Sequence, residues 1–228
     1  MKKENDTPWG VIFDVDGTMV DNVAFHEKAW LVFGERHNLP ITPVFYRENM
    51  HSRSNDVIAK VLYGEEVSNA QAEAMNTEKE SIYRELYRPH IKENPGLTPL
   101  LEALHREGVP CAAASNSPPE NVEMILQALR VRHFFPVISA LDGTILGKPH
   151  PDLLLRAAQE MALPIHRCVV LEDSLSGFEA ADRAGAPFVV ISCGANPASL
   201  LHTQNARAIH QDFTTLTPAL LNAALIPQ

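Results

Sequence analysis

The chain is 228 residues long and carries 19 lysines and arginines against 28 aspartates and glutamates, a formal net charge of −9. Hydrophobic residues at 45% and charged residues at 21% suit a soluble globular chain and exclude a disordered one. The acid surplus, with no block of like charge, excludes DNA, RNA or an anionic membrane as partner, because those polyanions need a basic face.

Residues 1–9 are polar and hold no apolar run, so neither a signal peptide nor a membrane anchor is expected there. No later stretch approaches the roughly 18 apolar residues that span a bilayer. Gly10–Phe13 is the first short apolar run and predicts a fully buried strand. From Asn22 to Arg88 the sequence offers no strand, and helices are expected at Ala24–His37, Asn55–Leu62 and Ala70–Tyr87. Pro89 and Pro95 punctuate the chain after them, so Arg88–Pro95 reads as a linker back to the first domain. Residues 22–92 are therefore expected to form an all-helical domain inserted into a discontinuous core of residues 1–21 and 93–228, an arrangement suited to closing over a site.

Beyond Pro95 helices and strands alternate. Leu97, Leu100, Leu101 and Leu104 recur at helical spacing, as do Val122, Ile125, Leu126 and Leu129. Further helices are expected from Pro151 to Met161 and from Ser174 to Ala184, the last stopped by Gly185. Strands are expected at Val109–Ala114, Pro136–Ser139, Cys168–Leu171 and Pro187–Ser192. The alternation predicts an α/β fold with a doubly wound parallel sheet. Cys111, Cys168 and Cys193 are odd in number, far apart and set in apolar surroundings. They are expected to be buried free thiols in a reducing, cytoplasmic compartment.

Ligands of open α/β sheets bind beyond the carboxyl ends of the strands. The residues that follow the predicted strands are Asp14-Val15-Asp16-Gly17-Thr18, Ser115-Asn116-Ser117 and Glu172-Asp173-Ser174, with Lys148 in the loop before the helix that starts at Pro151. Four carboxylates, a lysine and hydroxyls thus converge on one sheet edge, an inventory that suits phosphoryl transfer onto a carboxylate beside a hard cation. Asp14 ends a buried strand, so its carboxylate is rigidly placed to attack phosphorus in line. Asp16 is placed to act as general acid and then base. Gly17 permits the sharp turn between them. Asp14, Asp173 and Glu172 supply the oxygen ligands that Mg²⁺ prefers. Lys148 would hold charge in the transition state, and Ser115 offers a seat for a phosphate oxygen.

Each residue also has an ordinary reading. Asp14, Asp16 and the Glu172-Asp173-Ser174 run could cap helices, Lys148 and Arg53 could be solvated, and His26 could pack beside Ala29 and Trp30. No HxxxH or HExxH spacing supports zinc. Gly143–Lys148 falls one residue short of a Walker loop and is followed by Pro149, and no GxGxxG follows a strand, which removes nucleotide triphosphatase and dinucleotide readings.

The ordered set Asp14-x-Asp16-Gly17-Thr18, Ser115-Asn116, Lys148-Pro149 and Glu172-Asp173-Ser174, with Gly177 following, resembles the haloacid dehalogenase-like hydrolases. The resemblance covers nearly the whole chain. It implies a Rossmann-like core with a helical cap, an aspartyl-phosphate intermediate, Mg²⁺, and a metal ligand from Asp16 through its main-chain carbonyl. Within that family the chain looks most like the sugar-phosphate phosphatases and β-phosphoglucomutases. Asp21, His26 and Trp30 match a D…HxxAW run of that group, and Lys148-Pro149-His150-Pro151-Asp152 matches its KPxPD motif. The resemblance implies Thr18, His26, Arg53, Ser115, Asn116 and Lys148 as substrate-binding residues.

The expected activity is hydrolysis of a small phosphorylated metabolite, a sugar phosphate, by a Mg²⁺-dependent, cytoplasmic, monomeric phosphatase. A phosphosugar mutase is the alternative; the mutase has a lysine–glycine pair shortly before its cap arginine, where this chain has Asn49 and Met50. A dehalogenase is disfavoured by Asp16, and a catalytically silent binding module by the intact set of acids, lysine and serine. The clustered acids should raise one another's pKa values, and a divalent cation would offset that repulsion.

Overall fold

The computed structural model describes residues 8–50, 53, 55–193 and 206–226. The chain divides into two compact units, one of residues 1–21 and 92–228 and the other of residues 22–91.

The first unit is built on six parallel strands, β1 (Gly10–Phe13), β2 (Cys111–Ser115), β3 (Val137–Ala140), β4 (Cys168–Glu172), β5 (Phe188–Ile191) and β6 (Ala206–His210), in the order β3-β2-β1-β4-β5-β6. β1 lies between β2 and β4, with Ile12 opposite Ala112 on one side and Val170 on the other. The strand order reverses at β1, and such a reversal opens a crevice beyond the carboxyl ends. Helices α5 (Leu97–Arg106), α6 (Pro119–Ala128), α7 (Asp152–Glu160), α8 (Leu175–Ala184) and α9 (Pro218–Ala223) accompany the sheet.

Burial on both faces explains the unbroken apolar runs of β1, β4 and β5, which lack the alternation of a half-exposed strand. Ile12, Ala114, Val170 and Val190 share one core cluster with Leu154 and Ala157 of α7 and with Phe178 and Ala181 of α8. Phe13 packs edge-on against Phe135 with ring centroids 5.5 Å apart and lies 6.2 Å from Phe213. Burying each such aromatic ring is worth about 1.5–3 kcal/mol. Leu97, Leu100, Leu101 and Leu104 are the buried stripe of α5, as their spacing predicts. The Ser174 side chain caps α8 by accepting from the Gly177 N–H, and Gly185 closes that helix in the left-handed region at φ 73°.

The second unit holds α1 (Val23–His37), α2 (Pro43–Asn49), α3 (Asn55–Tyr63) and α4 (Asn69–Tyr87). Among its described residues, α1 and α4 pack through Ala29, Trp30, Phe33, Ile82, Tyr83 and Tyr87, all buried. Ser68 and Gln71 form a reciprocal capping box at the start of α4.

Several boundaries differ from the sequence expectation for physical reasons. β2, β3 and β5 start after Pro110, Pro136 and Pro187, because proline has no N–H to give the ladder. α2 is seven residues long and β6 is only half-buried along its length, so neither carries the periodicity that betrays longer or doubly buried elements. The expected linker at Arg88–Pro95 is partly structured: Arg88–His90 form a 3₁₀ turn, and Val20 pairs antiparallel with Glu93. Cys111 and Cys168 are buried free thiols, whereas Cys193 is exposed, because the chain leaves the sheet after Ile191 and turns through Cys193 at φ 45°.

Gly96 precedes α5 at φ 85°, and a Cβ there would lie 2.5 Å from the Thr214 backbone nitrogen. Gly96→Ala therefore combines a disfavoured backbone conformation with a clash against main chain. It is expected to lower the free energy of unfolding by about 2–4 kcal/mol. Urea denaturation measures this, and a loss below about 0.5 kcal/mol contradicts it.

Candidate active site

The carboxyl ends of β1, β2 and β4 meet at one buried lysine. Lys148 Nζ donates to Asp14 Oδ1 at 2.5 Å, to Glu172 Oε2 at 2.7 Å and to the Ala114 carbonyl at 3.0 Å. Those three acceptors use all three ammonium protons. The lysine side chain is 3% exposed, and those of Asp14 and Glu172 are 8% and 1%. Burial alone pulls the lysine pKa down, but the Asp14 and Glu172 carboxylates outweigh it and hold the pKa above the ordinary lysine value.

Lys148 follows a loop that Asn116 holds in place. The Asn116 side chain donates to the Lys148 carbonyl at 3.1 Å and accepts from the Lys148 N–H at 2.7 Å, so its amide pairs with the backbone as a neighbouring strand would. The peptide from Lys148 to Pro149 is cis. A Cβ on Gly147 would lie 2.7 Å from the Asn116 Oδ1, so this close approach suits glycine.

Glu172, the last residue of β4, is saturated with donors. Its Oε1 accepts from the backbone N–H groups of Asp173 and Ser174 at 3.1 Å each and from the Ser174 hydroxyl at 2.9 Å. A Cβ on Gly177 would fall 1.9 Å from Glu172 Cδ, so the buried carboxylate occupies the space a side chain on α8 would need. Asp173 accepts from Thr18 Oγ1 at 2.9 Å, and Gly17, at φ 93°, would place a Cβ 2.2 Å from Asp173 Oδ2. Both glycines are therefore places where backbone approaches a carboxylate.

Asp14, Glu172 and Asp173 each offer a carboxylate oxygen, and these atoms lie within 4.8 Å of one another. Asp14 Oδ2 is buried and has no hydrogen-bond partner among the described residues. Burial first, and the Glu172 charge second, raise the Asp14 pKa well above the ordinary carboxylate value, and the same two causes raise Asp173 to about 7. An orphaned buried oxygen among three carboxylates facing one lysine fits a divalent cation with oxygen ligands.

Asp16 sits just past this cluster. Its Oδ2 accepts from Ser115 Oγ at 2.8 Å, and the Ser115 hydroxyl in turn accepts from the Ser117 N–H at 2.9 Å. The α/β unit thus brings Asp14, Asp16, Thr18, Ser115, Asn116, Lys148, Glu172 and Asp173 together. It adds one residue that the sequence reading passed over. Asn94 is buried, and its amide donates to the Thr18 carbonyl at 2.6 Å. An asparagine before Pro95-Gly96 reads as an ordinary turn residue, so no local pattern exposes it.

His26 and Arg53 belong to the helical unit. The His26 ring stacks on Tyr83 with centroids 4.0 Å apart, and its Nδ1 lies 2.9 Å from Lys79 Nζ. Lys79 is buried, donates to Glu80 Oε1 at 2.7 Å and lies over the Trp30 ring at 5.6 Å. Arg53 is exposed, and its backbone N–H donates to the Met50 carbonyl at 3.1 Å.

The model of one protein family, the haloacid dehalogenase-like hydrolases, matches residues 10–185, and the chain belongs to that family. A phosphorylated carbohydrates phosphatase of Thermotoga maritima is 28% identical over 178 residues, covering 77% of this chain and 81% of the relative. A phosphoglycolate phosphatase of Escherichia coli strain K12 is 25% identical over 231 residues, with 92% of each chain covered. Among solved structures, a family IA, variant 3 hydrolase of this family from Entamoeba histolytica superposes with a TM-score of 0.87 at 26% identity, over 95% of this chain and 99% of the other. No helix among the described residues is long and apolar enough to cross a membrane.

A carboxyl whose pKa is higher folded than unfolded favours the folded state only when protonated, so it destabilises the fold as pH rises between the two values. For Asp173 that window runs from the ordinary 3.8 to about 7. With a chelator present, the melting temperature should rise as pH is lowered from about 7.5 to about 5.5, and Asp173→Asn should flatten that rise. Identical pH profiles for the two proteins contradict the assignment.

Proposed function

We propose that the chain is a Mg²⁺-dependent phosphatase that hydrolyses a small phosphorylated metabolite, a sugar phosphate by preference, through a phosphate held transiently on Asp14. The observation that carries this reading is the state of Asp14. One oxygen is clamped by a buried lysine, the other is buried without a partner among the described residues, and both lie where the strand order reverses.

In this reading the Asp14 carboxylate bonds to phosphorus as the ester P–O bond breaks, and the leaving alkoxide takes the Asp16 proton. Asp16, now a carboxylate, removes a proton from water. That water attacks phosphorus, releases inorganic phosphate and returns Asp14 to its starting state. The Ser115 hydroxyl fixes the Asp16 carboxyl through these proton transfers. Lys148 keeps Asp14 aimed and favours its charged form against the pull of burial, and its cation offsets negative charge building on the phosphoryl oxygens. A divalent cation held by Asp14 and Asp173 beside Glu172 would relieve their mutual repulsion and draw charge from the phosphoryl group. Thr18 steadies Asp173 by its hydroxyl, and Asn116 steadies Lys148 by its amide.

Family membership and the two relatives named as phosphatases support hydrolysis of phosphoric monoesters as the reaction. A phosphosugar mutase shares the first half-reaction but passes the phosphate to a second hydroxyl. The relatives favour water as the acceptor, and Asn49 and Met50 stand where the mutase has its lysine–glycine pair. The helical unit is read as the cap domain, and the free thiols support a reducing, cytoplasmic setting.

Release of inorganic phosphate from a panel of sugar phosphates and phosphoglycolate, with Mg²⁺ and with a chelator, tests the reading. Wild-type protein should turn over at least one substrate with Mg²⁺ and none with the chelator. Asp16→Ala should bind the cation yet lose about 10²–10⁴ in rate. Wild-type rates in Asp14→Asn, or interconversion of sugar phosphates without phosphate release, would overturn it.

A further inference from the structure

Asn94 lies just after the second crossing between the two units and is buried to 8% exposure. Its Nδ2 donates to the Thr18 carbonyl at 2.6 Å and lies 3.3 Å from the Gly17 carbonyl and 3.0 Å from Cys193 Sγ. Its own backbone N–H donates to the Met19 carbonyl at 2.8 Å. One residue therefore holds three consecutive carbonyls of the loop that carries Asp16 and Thr18. Two further backbone bonds of that loop are internal, from the Gly17 N–H to the Val20 carbonyl at 2.8 Å and from the Met19 N–H to the Val15 carbonyl at 3.0 Å, while its side chains reach outward from Thr18 to Asp173 and from Asp16 to Ser115. The internal bonds give the loop its shape, and Asn94 is the residue that fixes its Gly17–Met19 carbonyls to the rest of the fold.

The geometry points to Asn94 as a positioning residue of the phosphatase site, one that clamps the Gly17–Met19 backbone so that Asp16 and Thr18 keep their places. The inference rests on the phosphatase reading for its kinetic consequence, but the clamp itself is testable without it. A trans peptide is planar, so holding the Gly17, Thr18 and Met19 carbonyls also fixes the plane of each peptide that follows. Thr18 in turn donates to Asp173, which links the clamp to the candidate cation ligands. An amide suits the task because it is a strong donor and stays neutral at every pH the protein meets. An aspartate would set a charge beside two carbonyl oxygens and near a cluster already rich in acids.

The test compares Asn94→Ala and Asn94→Asp with wild type in the full-length chain, by steady-state kinetics on the best phosphomonoester and by amide hydrogen exchange. The variants should lose about ten- to a hundredfold in kcat, which corresponds to about 1.4–2.7 kcal/mol, while KM stays within about threefold. Exchange of the amides of residues 15–20 should quicken by at least about tenfold, while that of β2 stays unchanged. Unchanged kcat with unchanged loop exchange overturns the proposal. So does an equal rise of exchange in the loop and in β2, which would mark general destabilisation. If wild type itself releases no phosphate, the phosphatase reading fails, and loop exchange alone then decides for or against the clamp. Should both variants fail to fold, Asn94→Ser, which keeps a shorter donor, should still quicken loop exchange above that of wild type, and wild-type exchange there would count against the clamp.

Discussion

A single buried ammonium group organises this site. Lys148 reaches from its loop to the ends of three parallel strands and spends its three protons on Asp14, on Glu172 and on the Ala114 carbonyl. An ion buried this deeply is tolerated only when its partners and its hydrogen bonds are complete. Replacing the lysine with a neutral side chain would strand two buried carboxylates, a change that typically destabilises by about 3–5 kcal/mol. The same arrangement leaves a charge imbalance, one cation facing Asp14, Glu172 and Asp173. Burial first, and that imbalance second, raise the Asp14 and Asp173 pKa values, and the clustered oxygens suit a divalent ion. A net charge of −9 therefore says little about affinity for an anionic substrate, because part of the acid surplus belongs to the site.

The sheet makes this meeting possible. Parallel register sets Phe13 beside Ala113 and Leu171, so Asp14 emerges between the ends of β2 and β4. Close approach does the rest. Gly17 and Gly177 each leave a carboxylate the volume that a Cβ would otherwise fill, on Asp173 and Glu172 respectively. Ser174 joins the two levels of structure, since its hydroxyl caps α8 and also donates to Glu172. The capping and the site readings of Glu172-Asp173-Ser174 are therefore compatible, because the helix begins where the carboxylates gather.

Much of this was legible in the sequence, and the reasons differ by element. β1, β4 and β5 are buried on both faces and show as uninterrupted apolar runs, whereas β6 is half-buried with an arginine and a histidine among its five residues. Short α2 and α9 announce themselves only by Thr42-Pro43 and Thr217-Pro218, a capping threonine and a proline at the first turn. Asp14, Asp16, Ser115 and Glu172 could be read as strand-end residues because strand ends define where ligands bind. Asn94 could not, since its partners Gly17 and Thr18 lie more than seventy residues earlier in the chain. His26 shows the same limit. Its neighbour Lys79 is 53 residues away, and the buried ion pair of Lys79 with Glu80 reads in sequence as an exposed stretch of α4.

In the proposed mechanism Asp14 carries the phosphate during turnover. Acid quenching of the protein during hydrolysis of a phosphorylated sugar, followed by digestion and mass spectrometry, tests it directly. Phosphate should be found on the peptide that contains Asp14 when Mg²⁺ is present, and none after chelation or in Asp14→Asn. Sustained phosphate release with no label on that peptide, or with the label on another residue, would contradict it.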